Sequence, residues 1–80
     1  MDYSEFYIWL TEERKMSVRA AKDVISRCKR VCKYLETEEI TSASLEQLNQ
    51  NSAFVEQSMF IKSQLRRAVA LWNMYGERDG

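Results

Sequence analysis

The chain contains no proline, and its two glycines are Gly76 and Gly80, so no residue before position 76 forces a break in a helix. Proline and glycine are the strongest punctuators of regular structure, and without them the hydrophobic spacing decides. That spacing is helical in every periodic segment, which predicts an all-α chain of four helices with no strands. Tyr3, Phe6, Tyr7 and Leu10 recur at helical intervals with Trp9 on a flank, so a first helix from about Ser4 to Arg14 buries an aromatic stripe. Such a stripe is expected to be core rather than a base-stacking platform.

The second segment, SVRAAKDVISRCKRVCKYL from Ser17, carries the clearest pattern. The Ser17 hydroxyl suits an N-cap, since it can accept an orphan N–H group of the first turn. Ala21, Val24, Ile25, Cys28, Val31, Cys32 and Leu35 follow at spacings of 3, 1, 3, 3, 1 and 3. At about 100° per residue they fill an arc of roughly 120°. Arg19, Lys22, Lys29, Arg30 and Lys33 occupy a nearly opposite arc of roughly 100°, and Ser26 lies among them. Arg27 falls outside that arc, near the core boundary, where it is expected to snorkel or to pair with an acid.

The stretch ETEEITSASLEQLNQ is read as an acidic connection and a short third helix, with Thr41, Ser42 and Ser44 as candidate caps before Leu45 and Leu48. Phe54 and Val55 are read as its last turn or as a corner. In the fourth segment, SMFIKSQLRRAVALWNMYG, Ser58 is placed to cap. Ile61, Leu65, Ala68, Trp72 and Tyr75 repeat by 4, 3, 4 and 3, and Gly76 is placed to stop the helix. Lys62 and Arg66 then share an outward face with Ser63 and Asn73 near its edges, while Arg67 points about 100° away from Arg66.

The formal net charge is zero, but the charges are segregated. Between Arg14 and Lys33 there are eight basic residues against the single acid Asp23, and between Glu36 and Glu56 there are five acids and no base. Local patches matter more than the total, because a polyanion responds to potential within a Debye length of about 8–10 Å. The chain's 80 residues are 45% apolar and 30% charged, which fits one small globular domain. Apolar runs fall far short of the ~20 residues that span a bilayer, and the acidic opening MDYSEF is unlike a secretory signal, so a cytoplasmic location and no membrane partner are expected.

Catalysis and metal binding find little to work with. There is no histidine, and the two cysteines, Cys28 and Cys32, cannot supply the four ligands of a structural zinc site. Four residues apart on one helix, they are also too far apart for a disulfide and read as small buried hydrophobes. No phosphate loop, nucleophile elbow or convergent carboxylate pair is present, so no enzyme and no cofactor is expected. Binding remains. The basic faces suit the phosphates of double-stranded DNA, and the competing readings are an ordinary solvated helix back, or a surface formed by Phe54, Met59, Phe60 and the acidic connection that docks a partner protein or a second copy.

The order FYIWLTEERKMSVRAAKDVISRCKRVCKYL, then SLEQL, then FIKSQLRRAVALWNMY resembles the N-terminal core-binding (SAM-like) domain of phage integrases and other tyrosine recombinases, over nearly the whole chain. Ser17 matches the family's capping serine and Leu65 to Tyr75 its closing helix, while Ala20 and Val24 stand where a threonine and a tyrosine are usual. The resemblance implies a compact, orthogonally packed bundle of four helices that clamps one side of the duplex. Its second and fourth helices would face the major groove through Arg19, Lys22, Ser26, Lys29, Arg30 and Lys33 and through Lys62, Ser63 and Arg66. It also implies that the chemistry belongs to a separate C-terminal catalytic domain, so that Tyr3, Tyr7, Tyr34 and Tyr75 are not nucleophiles; the isolated module is expected to be a monomer.

Overall fold

The computed structural model describes residues 2–78, which form α1 (Ser4–Glu12), α2 (Val18–Leu35), α3 (Ser44–Asn49), α4 (Ser52–Val55) and α5 (Met59–Glu77), with no strand among them. Hydroxyl caps open the two long helices. Ser17 Oγ accepts the Ala20 N–H at 3.1 Å and Ser58 Oγ accepts the Ile61 N–H at 3.2 Å, each from an extended backbone. Both satisfy a donor that the first turn leaves without a partner. At the start of α1 the Asp2 carboxylate accepts the Ser4 N–H at 2.9 Å, and that bond holds its pKa below the ordinary value.

The segment expected to form one short helix and a corner forms two helices, giving five rather than four. Asn51 makes the break. Its Oδ1 accepts the Phe54 N–H and its Nδ2 donates to the Tyr34 carbonyl, both at 3.0 Å, so it caps α4 and ties that corner to the C-terminal turn of α2. The expected caps of α3 also act differently. Ser44 is buried and its Oγ accepts the Thr41 N–H at 2.8 Å, which closes a turn ahead of the helix instead of capping it. Thr41 Oγ1 accepts the Ala43 N–H within the same turn, and no side chain caps α3.

Two helix ends depart from expectation as well. The first helix stops at Glu12, short of Arg14, because Lys15 turns left-handed at φ 57° and Met16 N–H bonds back to the Leu10 carbonyl. The last helix runs through Gly76 to Glu77, and Arg78 Nη1 then donates to the Tyr75 carbonyl. No left-handed glycine is needed there, since the backbone remains helical at Arg78.

The main helix pair is α2 with α5, and α1 and α3 pack on its flanks. Ala21, Val24, Cys28 and Val31 of α2 meet Leu65, Ala68, Val69 and Leu71 of α5 in the core. Phe6 is fully buried between α1 and α5, edge-on to Trp72 with ring centroids 4.9 Å apart and tilted against Tyr75 at 5.3 Å. The aromatic stripe of α1 is therefore core. Leu48, Phe54 and Ile40 close the other end, whereas Leu45 of the expected Leu45–Leu48 pair is exposed. Cα extents of 35 × 26 × 17 Å leave room for a single core layer, given that a helix with its side chains is about 10 Å across.

The two serine caps open different helices and share no partner. Ser17→Ala and Ser58→Ala are each expected to cost about 1 kcal/mol, with the losses adding in the double variant. Urea unfolding followed by far-ultraviolet circular dichroism measures both.

Candidate nucleic-acid interface

Helix α2 has its apolar arc against α5, so its other arc is turned to solvent. Arg19, Lys22, Ser26, Lys29, Arg30 and Lys33 are all exposed along it. Arg27 is half-buried at the edge of the packed side, as its angular position requires. From Arg19 to Lys33 the row extends about 21 Å along the helix axis.

The row is not uniform. Lys22 and Lys29 lean to the α1 side, where they border an open groove of about 710 Å³ whose floor includes Tyr3, Tyr7, Ile8 and Ile25. The Lys29 ammonium lies 5.8 Å from the Tyr3 ring centroid, within cation–π range. Arg30 and Lys33 lie toward the other flank and, with Tyr34, line a smaller recess of about 300 Å³. Arg19 and Ser26 stand between these flanks, and among the described residues no side chain of the chain covers them.

The basic residues of α5 are placed differently. Arg66 is half-buried, with Nε and Nη2 both donating to Asn49 Oδ1 at 3.1 and 2.9 Å and the guanidinium 5.5 Å from the Phe54 ring centroid. It ties α5 to α3 and α4. Lys62 Nζ donates to the Val55 carbonyl at 3.4 Å, again toward α4, and Ser63 is exposed one position on. Lys62 and Arg66 are therefore both bonded toward the α3–α4 corner. Sequence spacing could place Lys62 and Arg66 on one flank, but it could not supply Asn49, which lies 17 positions away.

Of the residues considered for protein docking, Phe54 is fully buried and belongs to the core, while Met59 and Phe60 are exposed. The acidic connection Glu36–Glu39 lines its own open recess beyond the C-terminus of α2. Among the described residues no group of three or more His, Cys, Asp or Glu side chains is arranged to hold a metal ion. None of the described helices is long and apolar enough to cross a membrane.

The thiols sit on the packed face. Cys28 is fully buried and its Sγ donates to the Ala68 carbonyl at 3.7 Å; burial, with Cys32 nearby, pushes its pKa up from 9.0 to about 12. Burial also raises the Tyr3 hydroxyl, and the two thiols add to that shift. No protein-family model matches the chain, and neither a curated protein nor a solved structure does.

These shifts set an alkaline limit. A thiol whose folded pKa is raised holds its proton more tightly in the folded state, so its contribution is complete below pH 9 and is lost as pH rises toward 12. Stability is expected to fall progressively across that window, and Cys28→Ala should flatten the fall. At pH 8 an alkylating agent should modify half-buried Cys32 well before Cys28, as mass spectrometry of timed samples would record.

Proposed function

We propose that this chain is a non-catalytic module that binds double-stranded DNA through the outer face of α2, working inside the cell. The observation that carries the reading is the continuous exposure of Arg19, Lys22, Ser26, Lys29, Arg30 and Lys33 on the side of α2 turned away from α5. A row of cations about 21 Å long matches the reach of a helix lying in or across a major groove. Such contacts fall mainly on phosphates and give affinity with little sequence reading, and Ser26 would add a neutral donor among the cations.

The resemblance to the core-binding domain of tyrosine recombinases supports the same surface and a SAM-like packing of the helices. On that reading the module positions DNA for recombination carried out by a separate catalytic domain. Its contribution from α5 is narrower than the resemblance implies. Ser63 is the freest of the three, while Arg66 and Lys62 serve the α3–α4 corner and would meet a phosphate only by leaving or sharing those bonds.

Fluorescence anisotropy with a labelled duplex, repeated at several salt concentrations, tests the proposal. Affinity should fall with salt by a log–log slope of about −0.9 for each phosphate contact. Arg19→Ala, Arg30→Ala and Lys33→Ala should each weaken binding and reduce the slope by about one contact, alike for unrelated duplex sequences. Absence of binding at low salt, or a slope unmoved by the triple variant, would overturn the DNA reading. Arg66→Ala is a poor probe of DNA contact, because losing its bonds to Asn49 weakens the fold itself.

A further inference from the structure

The groove between α1 and α2 has an aromatic floor that the fold does not fully use. Phe6 and Leu10 of α1 are fully buried, but Tyr3 and Tyr7 are half-buried and line the groove with Ile8 and Ile25. Ile8 is 51% exposed there. The Tyr3 ring is engaged, edge-on to Trp72 with centroids 5.7 Å apart and beneath the Lys29 ammonium. Tyr7 is not, for among the described residues no other ring and no cation is paired with it. At about 710 Å³ the groove falls in the range of about 300–1,000 Å³ that small-ligand sites occupy.

The rim carries the charge. Lys22 and Lys29 stand seven positions apart, about 10 Å along the α2 axis. That distance is three nucleotide steps of a stacked strand, at about 3.4 Å each. The same two lysines belong to the exposed row of α2, so a strand whose phosphates follow the row passes along the rim of the groove. Asp2 is the acid on the lining, and its carboxylate is occupied with the Ser4 N–H.

These two properties select the occupant. Paired bases are stacked inside a duplex and show only their edges in its grooves, so a plain duplex leaves Tyr7 and Ile8 uncovered. An unpaired base offers its face, and stacking on an aromatic side chain strengthens binding by about fivefold or more. An acyl chain would also suit the floor, but it brings one headgroup to two lysines, whereas a strand brings a phosphate at every step. We propose that the α1–α2 groove holds an unpaired base of the DNA bound along α2, stacked on Tyr7, with neighbouring phosphates on Lys22 and Lys29. This preference for DNA with a single-stranded tail rests on the proposed DNA reading of α2, which supplies the phosphate path.

The probes are a labelled blunt duplex, the same duplex with a tail of five deoxyadenosines, and the same duplex with a tail of five abasic nucleotides, which has the phosphates without the bases. In anisotropy titrations the deoxyadenosine tail should bind at least about fivefold tighter than the abasic tail. Tyr7→Leu should remove that difference and Tyr7→Trp should keep it, with blunt-duplex affinity and the circular dichroism spectrum unchanged in both. Equal affinity for the two tails beside a bound blunt duplex would overturn the groove and leave the DNA reading standing, and so would a difference that survives Tyr7→Leu. Tyr7-dependent binding of single-stranded deoxyadenosines with no binding of the blunt duplex would support the groove and overturn the duplex reading. No binding of any probe would overturn both. Capture on phosphatidylserine vesicles without any preference between the tails would overturn the groove reading by making a lipid surface the occupant.

Discussion

Where α2 crosses α5, Cys28 and Ala68 are small enough for the thiol to reach the Ala68 carbonyl oxygen at 3.7 Å. Close approach at this point fixes the rotation of both helices about their axes. Once Cys28 faces α5, the periodicity of α2 turns Arg19, Ser26 and Lys33 to solvent; once Ala68 faces α2, the periodicity of α5 turns Phe60, Arg67 and Met74 outward. A bulkier side chain at either position would separate the helices and leave their other contacts underpacked. The two outer surfaces are therefore consequences of one seam.

The rest of the molecule closes the two ends of that seam. At one end the rings of Phe6, Trp9, Trp72 and Tyr75 form a connected cluster that holds α1, with centroid distances from 4.9 to 6.0 Å. Aromatic pairs in this geometry add to the burial of their area. At the other end polar bonds act together with Leu48 and Phe54. Asn51 reaches the Tyr34 carbonyl, and Arg66 reaches Asn49, so α3 and α4 are tied to both long helices. These short helices have too few residues to persist alone, and the tertiary ties compensate for that.

The long helices were legible because a regular 3–4 spacing leaves little choice. Ser17 and Ser58 are the caps their positions imply, and the apolar arc of α2 is the packed one. Legibility ends where side chains choose between local and distant partners. Ser44 has the residue type of a cap, yet it bonds backward to Thr41 because that turn buries it. Arg66 reads as a free cation on an outer flank, but Asn49 and Phe54 lie beneath it for reasons set by the path of the chain between residues 36 and 58. Ile40 is core without a sequence signal, because it stands alone in an acidic stretch, without the periodic neighbours that mark a buried face. Gly76 carries the signature of a helix stop, but a glycine ends a helix only where a left-handed turn follows, and the chain continues helical.

The exposure of Phe60 and Met74 invites the explanation that a small domain simply lacks the surface to cover every apolar residue. Geometry does limit what can be covered here, for with α2 on its inner side and α1, α3 and α4 on the flanks, α5 has no element left to shield its outer face. That limit applies equally to α2, whose outer face is just as uncovered. There the uncovered positions hold Arg19, Lys22, Lys29, Arg30 and Lys33, whereas on α5 they hold Phe60, Ser63, Ala70 and Met74 together with Arg67 and Glu77. The fold imposes exposure on both helices but not the chemistry of what is exposed. What each helix exposes is thus a property of its sequence, cationic on α2 and mixed on α5, where Arg67 and Glu77 stand among Phe60, Ala70 and Met74.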